Sequence, residues 1–328
     1  MSPKWIAGLA ALAVGVGAFL WSRPQQNAGS KGTVRKSSWT RAQRLAGPLD
    51  HPHGLAVVGE SVFVVTGGFA KADNAVLRVQ ATTGQVQKLA SVPQVLFGEL
   101  TVDDQHVYVT SEADGLILRV PQAGGEAEAI ARARRPTYLA ADEEHVYYAA
   151  LADTGGALFR VKKTGGLTQT LSEQHVALNS VAVDPTHVFF RSNSGLWKVD
   201  KQTGAVVCLL PVIERRNLGR LVLDDTHVYF HMETEARGKY AVARLSKQGG
   251  PVETIGPVAN LTARLALSPT HVYFFREVDL HNDALAKIPK AGGPPALVDG
   301  SGYSTGFLTV AQGDAYFSDS QFLYRVPK

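Results

Sequence analysis

Short runs of alternating apolar and polar residues occupy most of the chain and recur in a fixed order. One phrase opens on an acid or a serine, passes a turn and reads His-Val-aromatic. It appears as DDQHVYV from Asp103, DEEHVYY from Asp142, DPTHVFF from Asp184, DDTHVYF from Asp224 and SPTHVYF from Ser268. About a dozen or more positions later comes a second marker, a basic residue between two apolar ones. It stands at Arg78, Arg119, Arg160, Lys198, Arg244, Lys287 and Arg325. The two extra copies of this marker expose degenerate forms of the first phrase, ESVFVVT from Glu60 and GDAYFSD from Gly313. A fixed period must be settled before single residues are interpreted, and here seven units of about 38–46 residues cover Gly54 to Lys328.

Each unit carries four strand signals. In the second they are ELTVD from Glu99, HVYVT from His106, GLILRV from Gly115 and, after a Gly-Gly turn, GGEAEAIA from Gly124. Alternation broken by turn residues predicts antiparallel hairpins. Four strands at a period near 40 predict a β-propeller. The last unit stops at FLYRVPK, after its third strand, while WTRAQRLAG (Trp39–Gly47) has the fourth-strand pattern of GQVQKLA (Gly84–Ala90). The expectation is an all-β, seven-bladed β-propeller over residues 39–328. Its N-terminal strand completes the last blade and pairs the two edges that would otherwise be open. With its edges closed, the ring is expected to be a monomer.

Ahead of the ring the pattern changes. Trp5 to Trp21, WIAGLAALAVGVGAFLW, is an unbroken apolar run with Trp at both ends. That length and those flanks suit a membrane span; a cleaved signal peptide is the competing reading. Residues 1–22 are thus read as an anchor or signal segment, and 23–38 as a flexible basic linker. Arg23, Lys31, Arg35 and Lys36 after the run argue for a cytoplasmic body by the positive-inside count. A short N-terminal segment before a large domain is the layout of an exported protein, and we take the ring to be periplasmic or at the cell surface.

Composition fits a globular body, with 45% hydrophobic and 19% charged residues. The net charge of +4 is misleading. Residues 1–49 hold seven basic side chains and no acid; removing those seven from 33 leaves 26 against 29 acids, so the body from Asp50 onward is near −3. The high pI belongs to the tail and gives no reason to expect nucleic acid. With one cysteine, Cys208, no disulfide can form within the chain. In AVVCLLP it reads as a buried small hydrophobe.

The repeated histidines invite a metal or base reading. Equivalent positions on neighbouring blades lie ~10 Å apart, too far to share an ion. They are read as turn-closing or interblade groups, with Asp224 capping backbone amides. The aromatic residues are read as filler between blades, and the third-strand cations as a solvated or interblade-bonded row. Function is then sought where the copies differ. The residues entering each first strand should ring the axial channel: Gly54, Glu99, Tyr138, Ser180, Arg220, Arg264 and Phe307, preceded by His53, Gly98, Thr137, Asn179, Gly219, Ala263 and Gly306. From these come the candidate ligand-binding residues His53, Glu99, Tyr138, Asn179, Arg220 and Arg264. Glu99 and Asn179 offer too few oxygens for a calcium site beside two guanidiniums, so no metal and no cofactor is expected. Two readings stay open: a mouth that takes an anion or carboxylate, and an Arg–Glu paired channel with no ligand. The longest loops between second and third strands, Thr66–Ala75, His231–Ala241 and Arg276–Ala284, bring Asp73, Glu233, Glu235, Asp279 and Asp283 to the same face, where they read either as a solvated loop edge or as an acidic rim for a protein or sugar partner.

The unit D-x-x-H-V-Y-[FY] followed by G-x-L-x-R-V-x-K-x-G-G resembles bacterial propeller repeats related to the YWTD type of the low-density-lipoprotein receptor, over Trp39 to Lys328. HVYF-like phrases replace YWTD. The resemblance implies the fold and a secreted or anchored protein, and it carries over no functional residue, because the shared positions are structural. A Walker A loop, HExxH and CxxC are absent. A quinone-cofactor enzyme is not pursued, since only Trp197 lies inside a blade. The chain is read as a non-enzymatic scaffold that binds a protein, peptide or glycan through its variable loop face. The alternative is a propeller hydrolase or lactonase with its site in the axial channel.

Overall fold

Near the start of the ring, strand Gln43–Ala46 runs antiparallel to the last strand of the chain, Leu323–Val326, with Gln43 opposite Arg325 and Ala46 opposite Leu323. This pairing completes a sheet with Asp314–Ser318 and Leu308–Ala311. The other six sheets each take four consecutive strands, so the chain forms a seven-bladed β-propeller closed as the repeat pattern predicts. The computed structural model describes residues 41–67, 74–93, 99–175, 178–211, 218–236, 238–258, 264–279, 282–303 and 306–328. The apolar run Trp5–Trp21 and the basic linker lie outside them. Among the described residues no helix is long and apolar enough to cross a membrane.

Within a blade the phrase His-Val-aromatic forms the second strand, as in His106–Ser111 and His227–Glu233. A strand points successive side chains to opposite faces, and both faces of this one are covered by neighbouring blades. Val107 and Val109 pack on blade 1, against Phe63 and Val65, while Tyr108 packs on blade 3 with Val146 and Tyr148. The same alternation sends Phe190 back to Tyr147 and Phe189 forward to Val228 and Phe230. The aromatic residues fill the space between blades. Tyr108, Tyr147, Phe189, Phe190 and Phe230 are all fully buried.

The acid that opens each phrase sits at the turn between first and second strands. Asp103 Oδ1 accepts the backbone N–H groups of Gln105 (2.9 Å) and His106 (2.8 Å). Its Oδ2 accepts the Tyr108 hydroxyl (2.9 Å) and Lys163 Nζ (2.6 Å). Lys163 belongs to the next blade. The clasp repeats as Lys201 on Asp142 (2.7 Å), Lys247 on Asp184 (2.9 Å) and Lys290 on Asp224 (2.8 Å). A second rung lies beside it. In blades 2 to 5 the third-strand cation donates to the carbonyl of that same turn residue in the following blade: Arg119 to Lys163 (2.9 Å), Arg160 to Lys201 (3.1 Å), Lys198 to Lys247 (2.9 Å) and Arg244 to Lys290 (2.9 Å). Of the row read as solvated or interblade-bonded, these four are therefore interblade-bonded. The histidines close turns, as expected: His187 and His227 place Nδ1 2.7 Å from the hydroxyl of the preceding threonine.

Where the clasp is missing, other bonds hold the seam. Ser268 replaces the acid in blade 6, and there Asp299 accepts the backbone N–H groups of Arg41 (2.5 Å) and Ala42 (2.8 Å), tying the closing strand to its neighbour. On its other side Arg325 donates to the Ala81 carbonyl (3.2 Å) of blade 1. Gly84 completes this seam. Its φ of +72° places it in the left-handed region, and a Cβ there would lie 2.2 Å from the Leu45 carbonyl oxygen.

Burial pushes the Asp103 and Asp142 carboxyls up, but the lysine, the backbone amides and the tyrosine outweigh it and bring both down to about 2. An unfolded Asp titrates near ~3.9. This stabilisation is therefore complete above that pH and is lost as pH falls toward about 2. Lys201→Met is expected to cost about 1–3 kcal/mol in urea unfolding and to move acid unfolding to higher pH. Lys328→Met, whose neighbour blade carries Ser268 in place of the acid, should leave both within error. Equal effects of the two substitutions would show that the clasp is not what holds the seams.

Asp299→Ala removes the acceptor of two backbone amides. It is expected to destabilise by about 1–3 kcal/mol and to speed hydrogen exchange in Gln43–Ala46 and Leu323–Val326 before the other blades. Uniform exchange across all seven blades would contradict a closing role for Asp299.

Candidate functional site

The repeat fixes where each first strand begins, and those starts converge on the axis opposite the Asp turns. They line a cavity of about 180 Å3. Its polar groups are Glu99, Ser180, Arg220 and Arg264; its walls are Leu55, Leu100, Val181, Leu221, Leu265 and Leu308, with Phe307. Arg220 and Arg264 both direct Nη1 at one oxygen, Glu99 Oε1, with the Arg264 contact at 3.2 Å. Each guanidinium also lies over an aromatic face. Arg264 stands 3.5 Å from the Phe307 ring centroid and Arg220 stands 4.7 Å from that of Tyr138. Stacking of this kind favours a guanidinium over an ammonium.

Burial pulls both guanidiniums down to about 9, and at Arg220 the Arg264 charge adds to it. At neutral pH both stay charged. Burial likewise raises the Tyr138 phenol, against the opposing pull of Arg264 and Arg191. It is a neutral hydroxyl at physiological pH.

Two other candidates turn elsewhere. His53 donates from Nε2 to the Gly67 carbonyl at 2.9 Å, and burial lowers its pKa, so the ring is neutral at pH 7. Asn179 donates from Nδ2 to Asn193 Oδ1 at 3.1 Å. Of the rim residues, Asp73 lies outside the described residues, as does the side chain of Asp279. Glu233 accepts the backbone N–H of Gly238 at 2.8 Å, closing its own loop. Glu235 and Asp283 stand on the loop side of the same face. Cys208 is half-buried, and burial raises its thiol. Among the described residues no three His, Cys, Asp or Glu side chains group as metal ligands do.

One residue was not anticipated. Arg191 pairs across the sheet with Ser180 of the cavity lining. Its Nε is buried without a hydrogen-bond partner, and burial lowers its pKa. Its charge acts on Tyr138. It stands four residues after His187, where the other copies of the phrase carry Thr110, Ala149, His231 and Phe275. A lone arginine at that register was the available signal. GYSTG, from Gly302 to Gly306, fits the serine-hydrolase pattern G-x-S-x-G. It leads into strand Leu308–Ala311 and not into a helix, so the strand–turn–helix elbow is absent; Ser304 lies outside the described residues.

Removing Glu99 leaves adjacent buried cations without their shared counter-charge. Glu99→Leu is expected to cost about 3 kcal/mol. Arg191→Met, which discards a guanidinium with no ion-pair partner, should leave stability unchanged or raise it. Chemical denaturation of both variants checks this, and a Glu99→Leu protein as stable as its parent would remove the carboxylate from the account of the mouth.

No family model matches the chain, and no curated protein matches it in sequence. Solved structures do match. An oligogalacturonate lyase from Vibrio parahaemolyticus aligns over 87% of this chain and 93% of its own, at 9% identity and a TM-score of 0.68. Hydrazine synthase from Kuenenia stuttgartiensis aligns over 90% and 99%, at 15% identity and a TM-score of 0.66. A nidogen–laminin complex aligns over 66% and 85%, at 15% identity and a TM-score of 0.50. At these identities the likeness concerns the fold alone: the chain shares the β-propeller architecture of an enzyme that cleaves oligogalacturonate, of a hydrazine synthase and of a complex of two other proteins.

Proposed function

We propose that this protein is a non-enzymatic binding propeller, anchored or exported through residues 1–22, that engages a protein, peptide or glycan by its variable face. One observation carries the reading: Glu99, the only carboxylate lining the axial cavity among the described residues, is already held by Arg220 and Arg264. A general base needs a free, suitably tuned acceptor, and a calcium centre needs several oxygens; the mouth offers neither. The residues that agree between copies are used in the seams, which leaves the loop face for recognition. The resemblance to YWTD-type propellers supports the same reading.

The test compares partner capture by the intact protein, by a variant lacking Glu233–Lys239, and by an Arg220→Gln/Arg264→Gln variant. Capture should fall in both variants; unchanged capture in both would remove the loop face from the proposal. Calcium and manganese are expected to leave the melting temperature within 1 °C. A larger rise that Glu99→Gln abolishes would favour the channel hydrolase instead.

A further inference from the structure

The charge at the mouth does not balance. Arg220 and Arg264 face one described carboxylate, and both spend their contact on the same oxygen of it. Resting on the binding reading above, we propose that the mouth takes a second carboxylate, carried by an acidic side chain or terminus of a peptide.

The chemistry of the walls selects the class. Each guanidinium presents five N–H donors in a planar fork suited to two-oxygen acceptors. Glu99 already shows that a carboxylate fits between Arg220 and Arg264. Arg191, which pairs across the sheet with the lining residue Ser180, has a buried Nε without a hydrogen-bond partner, and its charge reaches Tyr138, over whose ring Arg220 lies. A space of about 180 Å3 admits a side chain and excludes a folded surface. The walls around it are leucine and valine, with Ser180 as the only neutral polar side chain among the described residues. Apolar methylenes suit such walls, whereas the ring hydroxyls of a uronic acid would be left without partners, at a cost of roughly 1–3 kcal/mol each. A partner in this mode inserts an acidic tip while the rim loops meet the rest of it. Desolvation inside the mouth strengthens the ion pair and makes it sensitive to salt only through its rim.

The test uses the full-length chain and four probes in titration calorimetry: N-acetyl-glutamate amide, the matching glutamine compound, galacturonate and sulfate. The glutamate probe should bind and the glutamine compound should not. Arg264→Gln should weaken binding roughly tenfold. Glu99→Gln should tighten it by a similar factor, because the probe then occupies the place of the missing carboxylate, and the probe should restore melting temperature lost by that variant. A gain cannot arise from misfolding, which separates this outcome from a structural defect. Binding of the glutamine compound as strong as that of the glutamate probe overturns the proposal, as does a Glu99→Gln variant that binds no better than its parent. Galacturonate or sulfate bound in preference to the glutamate probe overturns the peptide assignment in favour of a glycan or an inorganic anion. If all four probes fail while the rim-loop deletion still abolishes partner capture, this proposal falls and the scaffold reading stands.

Discussion

Four seams of the ring depend on one carboxylate shared among two backbone amides, a lysine from the next blade and, at all but Asp184, where Phe189 takes its place, a tyrosine hydroxyl. Asp103, Asp142, Asp184 and Asp224 each occupy that position, and Lys163, Lys201, Lys247 and Lys290 reach them. The local bonds shape the turn and the lysine fixes the next blade against it, so one side chain couples strand geometry to blade spacing. Four contiguous junctions, from blade 2 to blade 6, share this device. The other three do not: Asp299 and the closing strand hold blade 6 to blade 7, Arg325 reaches the Ala81 carbonyl from blade 7 to blade 1, and Arg78 reaches the Gln122 carbonyl (3.4 Å) from blade 1 to blade 2. The propeller thus has two kinds of seam, one that repeats the lysine clasp and one that does without it.

How much of this was legible follows from what repeats. The strands and their count were readable because five His-Val-aromatic phrases and seven basic triplets mark each blade independently. Closure was readable because Trp39–Gly47 has a fourth-strand pattern with no blade of its own. The lysine clasp was not read, because its two halves belong to different units. The signal existed. Gln122 stands in the lysine position where the preceding blade has Gly59–Glu60 in place of the aspartate, and every aspartate is followed one unit later by a lysine. Only a comparison of each unit with its successor exposes that rule.

The mouth was legible in part for a similar reason. First-strand starts are set by the period, so Glu99, Arg220, Arg264 and Phe307 could be assigned to one ring before any coordinates, and the structure brings them together. His53 escapes the rule because blade 1 carries a bulge: the register shifts between His53 and Leu55, with Gly54 at a φ of +66°. The extra residue turns the imidazole to the Gly67 carbonyl. Arg191 escaped because it sits inside the phrase treated as structural. A repeat predicts where side chains start, and it predicts their direction only while the register holds.

The fold itself gives no reason for charge at the mouth. Blades 1, 4 and 7 place Gly54, Ser180 and Phe307 at the position that Glu99, Arg220 and Arg264 occupy in blades 2, 5 and 6, and the ring closes equally at all six. An ion pair taken out of water is at best weakly stabilising beside an apolar replacement of the same volume. Two guanidiniums against one carboxylate are worse than that, as the lowered pKa values of Arg220 and Arg264 record. Apolar residues in these positions would build the same propeller at lower electrostatic cost. The cations are therefore set against folding stability, and an anion entering the mouth is the event that turns their cost into affinity.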